Sequence, residues 1–167
     1  MKNIVLIGMP GSGKSTVGVV LAKMMGFHFL DSDLVIQEKE GRLLSEIIEQ
    51  EGRDGFIQVE DRINSEICCD RTVIATGGSA VYGAGAMEHF KEIGTVVYLK
   101  ISYEELENRL GDLKDRGVAL REGQTLKDLY EERILLYELY ADVIIDQNGK
   151  RIETTAREIR DILADKW

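Results

Sequence analysis

Cysteine and histidine are scarce in this chain, with two of each among 167 residues. Cys68 and Cys69 are neighbours, so they make a poor structural bridge, which agrees with a reducing compartment. With so few cysteines and with His28 and His89 far apart, no set of ligands stands at zinc spacing and no Cys/His nucleophile pair is evident. Long apolar runs are missing too. The N-terminal run Ile4-Val5-Leu6-Ile7 is shorter than a signal peptide needs, and nothing approaches the roughly 20 apolar residues of a membrane span. A cytoplasmic protein is therefore expected. Basic residues are outnumbered, 21 Lys and Arg against 30 Asp and Glu, for a net charge of −9. That balance argues against nucleic acid and anionic membrane as partners, since both attract basic surfaces. A chain of 167 residues with no repeat, low-complexity tract or linker is expected to be one domain spanning residues 1–167; a monomer is expected as well.

What the chain does have stands at its beginning. Gly8-Met9-Pro10-Gly11-Ser12-Gly13-Lys14-Ser15-Thr16 follows the apolar run directly and fits the spacing G-x-x-x-x-G-K-[ST]. Glycines at this spacing let backbone N–H groups turn inward around phosphates, and the lysine reaches the β- and γ-phosphates. Gly11, Ser12, Gly13, Lys14, Ser15 and Thr16 are thus read as nucleotide-binding, with the Ser15 hydroxyl placed on Mg²⁺. A helix beginning near Lys14 would add the positive end of its dipole to the same anion. The amphipathic stretch Val17, Val20, Leu21, Met24 supplies that helix.

Short apolar runs alternate with helical patterns along the rest of the chain. Strands are predicted over 3–7, 28–31, 72–75, 95–99 and 142–146, and helices over 16–25, 33–50, 54–67, 84–92, 103–110, 125–139 and 152–165. The alternation predicts an α/β fold with a parallel sheet covered by helices on both faces. Ser102 and Thr125, each followed by acidic residues, read as helix starts. In the last helix Ile152, Ala156, Ile159, Ile162 and Leu163 share one face, which predicts packing on the sheet.

Asp31-Ser32-Asp33 closes the second predicted strand. Ligands bind at the carboxyl edge of parallel sheets, which puts these carboxylates beside the phosphate cradle. One can hold hydrated Mg²⁺ while the other accepts the proton of an attacking hydroxyl as the γ-phosphoryl group leaves ATP. Taken alone, Asp-x-Asp reads more readily as a helix N-cap, and its place after the phosphate loop reverses that preference. Gly77-Gly78-Ser79 follows the third strand at the same edge, where glycines permit close approach to a ligand, although a plain turn has the same sequence.

These residues together resemble the shikimate kinase family. The resemblance rests on Gly8 to Thr16, on Phe29-Leu30-Asp31-Ser32-Asp33, on Ile74-Ala75-Thr76-Gly77-Gly78, and on Arg133 through Tyr137 leading to Ala141-Asp142. It implies a P-loop three-layer α/β/α fold with a five-stranded parallel sheet of order 2-3-1-4-5. It also implies a lid near 112–124 and an acceptor-binding helical region near 33–62. The implied activity is ATP- and Mg²⁺-dependent phosphorylation of a hydroxyl on shikimate or a related small metabolite. Carried over by position, Lys14 and Ser15 bind phosphate and Mg²⁺, Asp31 supports the metal, and Asp33 binds and polarises the acceptor hydroxyl. Gly77 and Gly78 contact the acceptor, Arg116 is the lid arginine approaching the transferring phosphate, Arg109 stacks over adenine, and Arg133 grips the acceptor carboxylate.

Departures from the family pattern concentrate on the acceptor side. Ile57 stands where the family has an arginine that pairs with the shikimate carboxylate, and an apolar side chain cannot make that charge-assisted bond. Its loss is worth about two decades of affinity. Glu60 matches an acid that pairs with the missing arginine, so it is left facing the site. Arg53, four residues before Ile57 and on the same helix face, stands where the family has an acid and offers a replacement cation. Ser79 replaces a third glycine, and the lid reads Arg116-Gly117-Val118-Ala119-Leu120. Phosphoryl transfer to an altered acceptor is one reading. A non-catalytic nucleotide-binding regulator is the other main one, and a nucleoside kinase the least supported.

Overall fold

The structure, a computed structural model, describes residues 3–110 and 121–166. Five strands form one parallel sheet: β1 (Asn3–Ile7), β2 (His28–Asp31), β3 (Thr72–Ala75), β4 (Gly94–Lys100) and β5 (Val143–Asp146), in the order β2-β3-β1-β4-β5. The helices among the described residues are α1 (Lys14–Met25), α2 (Ser32–Glu40), α3 (Leu44–Ser65), α4 (Ala84–Ile93), α5 (Tyr103–Arg109), α6 (Leu126–Tyr140) and α7 (Ile152–Ala164). The sheet order is the one the family resemblance implies, and the strand-helix alternation is the one the apolar runs predict.

Alternation along the strands explains the layers. Side chains of successive strand residues point to opposite faces. Val5 and Ile7 of β1 join Ile74, Val96 and Tyr98 under Met87 and Phe90 of α4 and Leu129 and Tyr137 of α6. Ile4 and Leu6 join Val73, Val97, Leu99 and Ile145 against Val17 and Leu21 of α1 and Ala156, Ile159 and Leu163 of α7. Of the predicted apolar stripe on α7, Ile152 at the first turn stays 39% exposed. A separate small core of Ile36, Ile47, Phe56 and Ile63 ties α2 to α3 beyond the end of β2.

Helix ends follow the capping signals. The Ser102 hydroxyl accepts from the Glu105 amide at 3.2 Å. At the start of α6, Thr125 accepts from the Asp128 amide at 3.1 Å and returns its own amide to the Asp128 carboxylate at 3.0 Å, a reciprocal capping box. The single helix predicted over 33–50 is two. Gly41 adopts φ 65°, its amide caps α2 through the Gln37 carbonyl, and α3 begins after a short turn. Within α3, Gly52 at φ 73°, ψ 179° kinks the axis, in the gap left between the predicted stretches 33–50 and 54–67.

The register brings the functional segments to one edge. Leu6, Ala75 and Asp31 are aligned partners across β1, β3 and β2, so the chain leaves all three strands at the same level. The phosphate-loop sequence, Asp31-Ser32-Asp33 and Thr76-Gly77-Gly78 therefore emerge side by side.

Candidate active site

At that edge lies a cavity of about 530 Å³, lined by Pro10 to Thr16 apart from Ser12, by Asp33, Leu44, Phe56, Glu60 and Arg133, and by Thr76 to Ser79. Its floor is the turn between β1 and α1. The Lys14 ammonium donates to the carbonyls of Gly8 and Met9, both at 2.8 Å, and so braces the loop around its own positive charge. Burial lowers the Lys14 pKa to about 8, against the opposing attraction of Asp33. Ser12, expected at the phosphate, is fully buried, and its amide donates to Met9 O at 3.1 Å within the turn.

Ser15 and Asp31 meet beside the cavity, the hydroxyl donating to Asp31 Oδ2 at 2.9 Å. The other Asp31 oxygen accepts from the Asp33 amide at 3.0 Å and caps α2. The N-cap and functional readings of Asp-x-Asp are thus compatible: Asp31 orients the turn that carries Asp33 into the cavity. A hydroxyl and a carboxylate oxygen side by side form a hard donor pair of the kind Mg²⁺ takes, usually completed by water and substrate phosphate. Among the described residues no cluster of three or more His, Cys, Asp or Glu could hold a metal without such help.

Asp33 faces Glu60 across Gly77. A Cβ at residue 77 would lie 2.8 Å from both Asp33 Oδ1 and Glu60 Oε2, so a side chain there would displace the two acids. Burial first, then repulsion from Asp31, lifts Asp33 to about 6, with Lys14 pulling the other way. Gly78 is equally confined: a Cβ there would come within 2.6 Å of Pro10 Cδ and 2.9 Å of Arg133 Nη1. The Gly78 carbonyl accepts from the Tyr137 hydroxyl at 2.6 Å.

Glu60 is buried, with Oε1 accepting from the Ser79 hydroxyl at 2.6 Å and Oε2 unpartnered among the described residues. Burial raises its pKa to about 7, opposed by the Ser79 bond and assisted by Asp33. An acid with a raised folded-state pKa holds a proton that the unfolded chain releases. Its ionised form therefore weakens folding fully above about pH 7 and not at all below its unfolded value of 4.5. Glu60→Gln is expected to raise Tm at pH 8 by roughly 4 to 8 °C, corresponding to about 2 kcal/mol. The gain should vanish near pH 4.5 in thermal melts; a pH-independent difference would refute the assignment.

The remaining predicted residues lie at the margins. Arg109 donates to the Gly11 carbonyl at 3.3 Å and to Glu105 at 2.9 Å, on the rim of the phosphate loop. Ile57 is half-buried and does not line the cavity; Arg53 lines a separate, more open one with Glu51, Gly52, Asp54, Arg121 and Glu122. Arg116 and most of the expected lid, 112–120, lie outside the described residues. Sequence reasoning missed Leu44 and Tyr82. Leu44 closes the cavity, and the Tyr82 hydroxyl accepts from Arg133 Nε at 3.4 Å. Neither carries a motif signal.

Comparison with known proteins agrees with this arrangement. The shikimate kinase family model matches residues 10–164. A shikimate kinase of Moorella thermoacetica is 38% identical over 164 residues, covering 96% of this chain and 94% of its own. One from Sulfurihydrogenibium is 36% identical over 160 residues, covering 95% and 96%. The structure of shikimate kinase from Acinetobacter baumannii in complex with shikimate superposes with a TM-score of 0.90 at 36% identity, over 99% of this chain and 94% of that one. A chain whose phosphate loop, strand-end carboxylates and glycine turn share one cavity, and which aligns with these kinases over nearly its full length, belongs to the shikimate kinase family of small-molecule kinases that phosphorylate a hydroxyl from ATP.

Proposed function

We propose that this chain transfers the γ-phosphoryl group of ATP to a hydroxyl of shikimate, with Mg²⁺, as a cytoplasmic monomer that uses neither membrane nor nucleic acid. The observation that carries the reading is the single cavity joining Lys14, Asp33 and Arg133. Lys14 and the turn amides hold the phosphate chain at one end, and Arg133 offers a fixed cation to the acceptor's carboxylate at the other. Asp33 lines the same cavity and is assigned to the acceptor hydroxyl as it approaches the γ-phosphorus. The hydroxyl oxygen forms the new P–O bond, the bond from the γ-phosphorus to the β,γ-bridging oxygen breaks, ADP leaves, and the hydroxyl proton passes to Asp33. Catalysis is then positioning and charge neutralisation.

Ser15 and Asp31 would hold the Mg²⁺, which neutralises charge on the β- and γ-phosphates when bound. The family resemblance assigns Arg109 to the nucleotide base, which its bond to the Gly11 carbonyl on the phosphate loop supports, and Arg116 to the transferring phosphate. The acidic surface, −9 overall, supports the absence of a nucleic acid partner. No helix among the described residues is long and apolar enough to cross a membrane.

The test is ADP release from Mg-ATP with and without millimolar shikimate, with phosphorus NMR of the product. Stimulation by at least about tenfold and a new phosphate monoester are expected. ATP binding without any stimulation would overturn the choice of acceptor.

A further inference from the structure

Arg53 is the first residue after the Gly52 kink, and its side chain is only 12% exposed. Nη1 pairs with Asp54 at 3.1 Å, but that carboxylate is 89% exposed, so water screens the pair. Nη2 lies 4.0 Å from Glu132 Oε1, beyond hydrogen-bond reach. Glu132 is already engaged, with Arg121 at 3.7 Å from Oε1 and the Gln124 amide donating to Oε2 at 2.9 Å. Nε and Nη2 are both buried with no hydrogen-bond partner among the described residues. These two nitrogens form one edge of the guanidinium, the edge that takes both oxygens of a carboxylate side-on.

A free edge of this kind is costly to bury and calls for an anion. Instead the Arg53 Cζ rests 4.9 Å from the Tyr82 ring centroid, and Arg133 Cζ stands 5.3 Å from the same centroid. One phenol ring thus holds two buried guanidiniums, of which Arg133 lines the cavity. Glu60, a buried acid lining the same cavity as Arg133, is tied by Ser79 and also faces Asp33. Ile57, one turn beyond Arg53, offers no charge.

We propose that Arg53 is the second cation for the acceptor's carboxylate in this chain, leaving the face of Tyr82 by a side-chain rotation to set its free edge beside Arg133. The inference rests on the acceptor being a hydroxy acid of the shikimate type, and it makes Arg53 a specificity-determining residue in place of the cation that Ile57 lacks. Side-chain rotation on binding is common and needs no movement of the backbone.

The test compares the intact enzyme with Arg53→Gln and Arg53→Lys, using shikimate and its methyl ester as acceptors at saturating Mg-ATP. Arg53→Gln is expected to raise KM for shikimate by about 10- to 100-fold, with kcat within about threefold and KM for ATP unchanged. Its KM for the ester should barely move, so the preference for acid over ester collapses. Arg53→Lys keeps the charge but not the two-pronged edge and should fall between; it carries the comparison should Arg53→Gln not fold. Equal losses with acid and ester, as a merely structural arginine would give, overturn the proposal, as does an unchanged KM. A wild-type enzyme that ignores shikimate defeats the acceptor reading itself, whereas one that uses shikimate with no effect at Arg53 defeats only this inference.

Discussion

Replacing Asp33 by Asn is expected to lower kcat for acceptor phosphorylation by two to four orders of magnitude, the usual worth of a positioned proton acceptor. Asn keeps the size of the side chain and loses the basic oxygen that the incoming hydroxyl needs. ATP affinity should stay within about threefold, since the phosphate loop is untouched. The environment of Asp33 gives a second signature. Burial and Asp31 hold its pKa near 6, close to working pH, so it is a useful base only above that value. In the wild type, kcat/KM should therefore fall as pH drops through about 6. Glu60 titrates near 7 in the same cavity, so the profile is measured in Glu60→Gln as well. An acid limb that survives in Glu60→Gln and disappears from the residual activity of Asp33→Asn identifies the base. Asp33→Asn activity within about tenfold of wild type would remove Asp33 from the chemistry.

Lys14→Met is expected to be as damaging by a different route, lowering kcat/KM for ATP by at least about three orders of magnitude. A lone charge-stabilising donor is worth roughly 10² to 10³ in rate. Lys14 adds ground-state binding to that, because its ammonium sits at the phosphate loop and also braces the Gly8 and Met9 carbonyls. The loss should appear in binding too: Mg-ATP raises the Tm of the wild type by linkage, and the variant should lose most of that shift. A Lys14→Met protein that keeps the shift or a tenth of the activity would refute the role. Burial holds the Lys14 pKa near 8, so kcat/KM should also decline on the alkaline side above that value as the free enzyme loses the charge.

Local signals carried most of the fold. Strands β1, β2 and β3 end where the apolar runs end, because each is bounded by a glycine, a turn or a carboxylate. At β5 the prediction began one residue early, since Asp142 bonds to Val96 through both its amide and its carboxylate yet precedes the strand. The break at Gly41 was hidden because the apolar period runs on through Leu43 and Leu44, and only the left-handed backbone at Gly41 separates two helices. The nucleotide side of the site was legible because its chemistry is written in consecutive residues. On the acceptor side Glu60, Ser79 and Arg133 were reached only through the family resemblance, and Leu44 and Phe56 not at all, because these residues come from separate elements and meet only through packing. Tyr82 is the extreme case: a lone aromatic in a short turn, whose part in holding Arg53 and Arg133 depends on three elements at once.

The confinement of Gly78 bears on how such a kinase can diverge. With Pro10 on one side and Arg133 on the other, any side chain at residue 78 would push apart the phosphate loop and Arg133, the cation proposed for the acceptor. Variation that alters acceptor choice is thereby steered away from residue 78, while the next position of the turn is open to it, Ser79 standing where the family has a third glycine. It is steered toward the partly exposed face of α3, where an exchange such as arginine for acid at one turn and isoleucine for arginine at the next leaves the phosphate machinery undisturbed. New substrates can then be sampled around the rim of the site while residue 78 stays glycine.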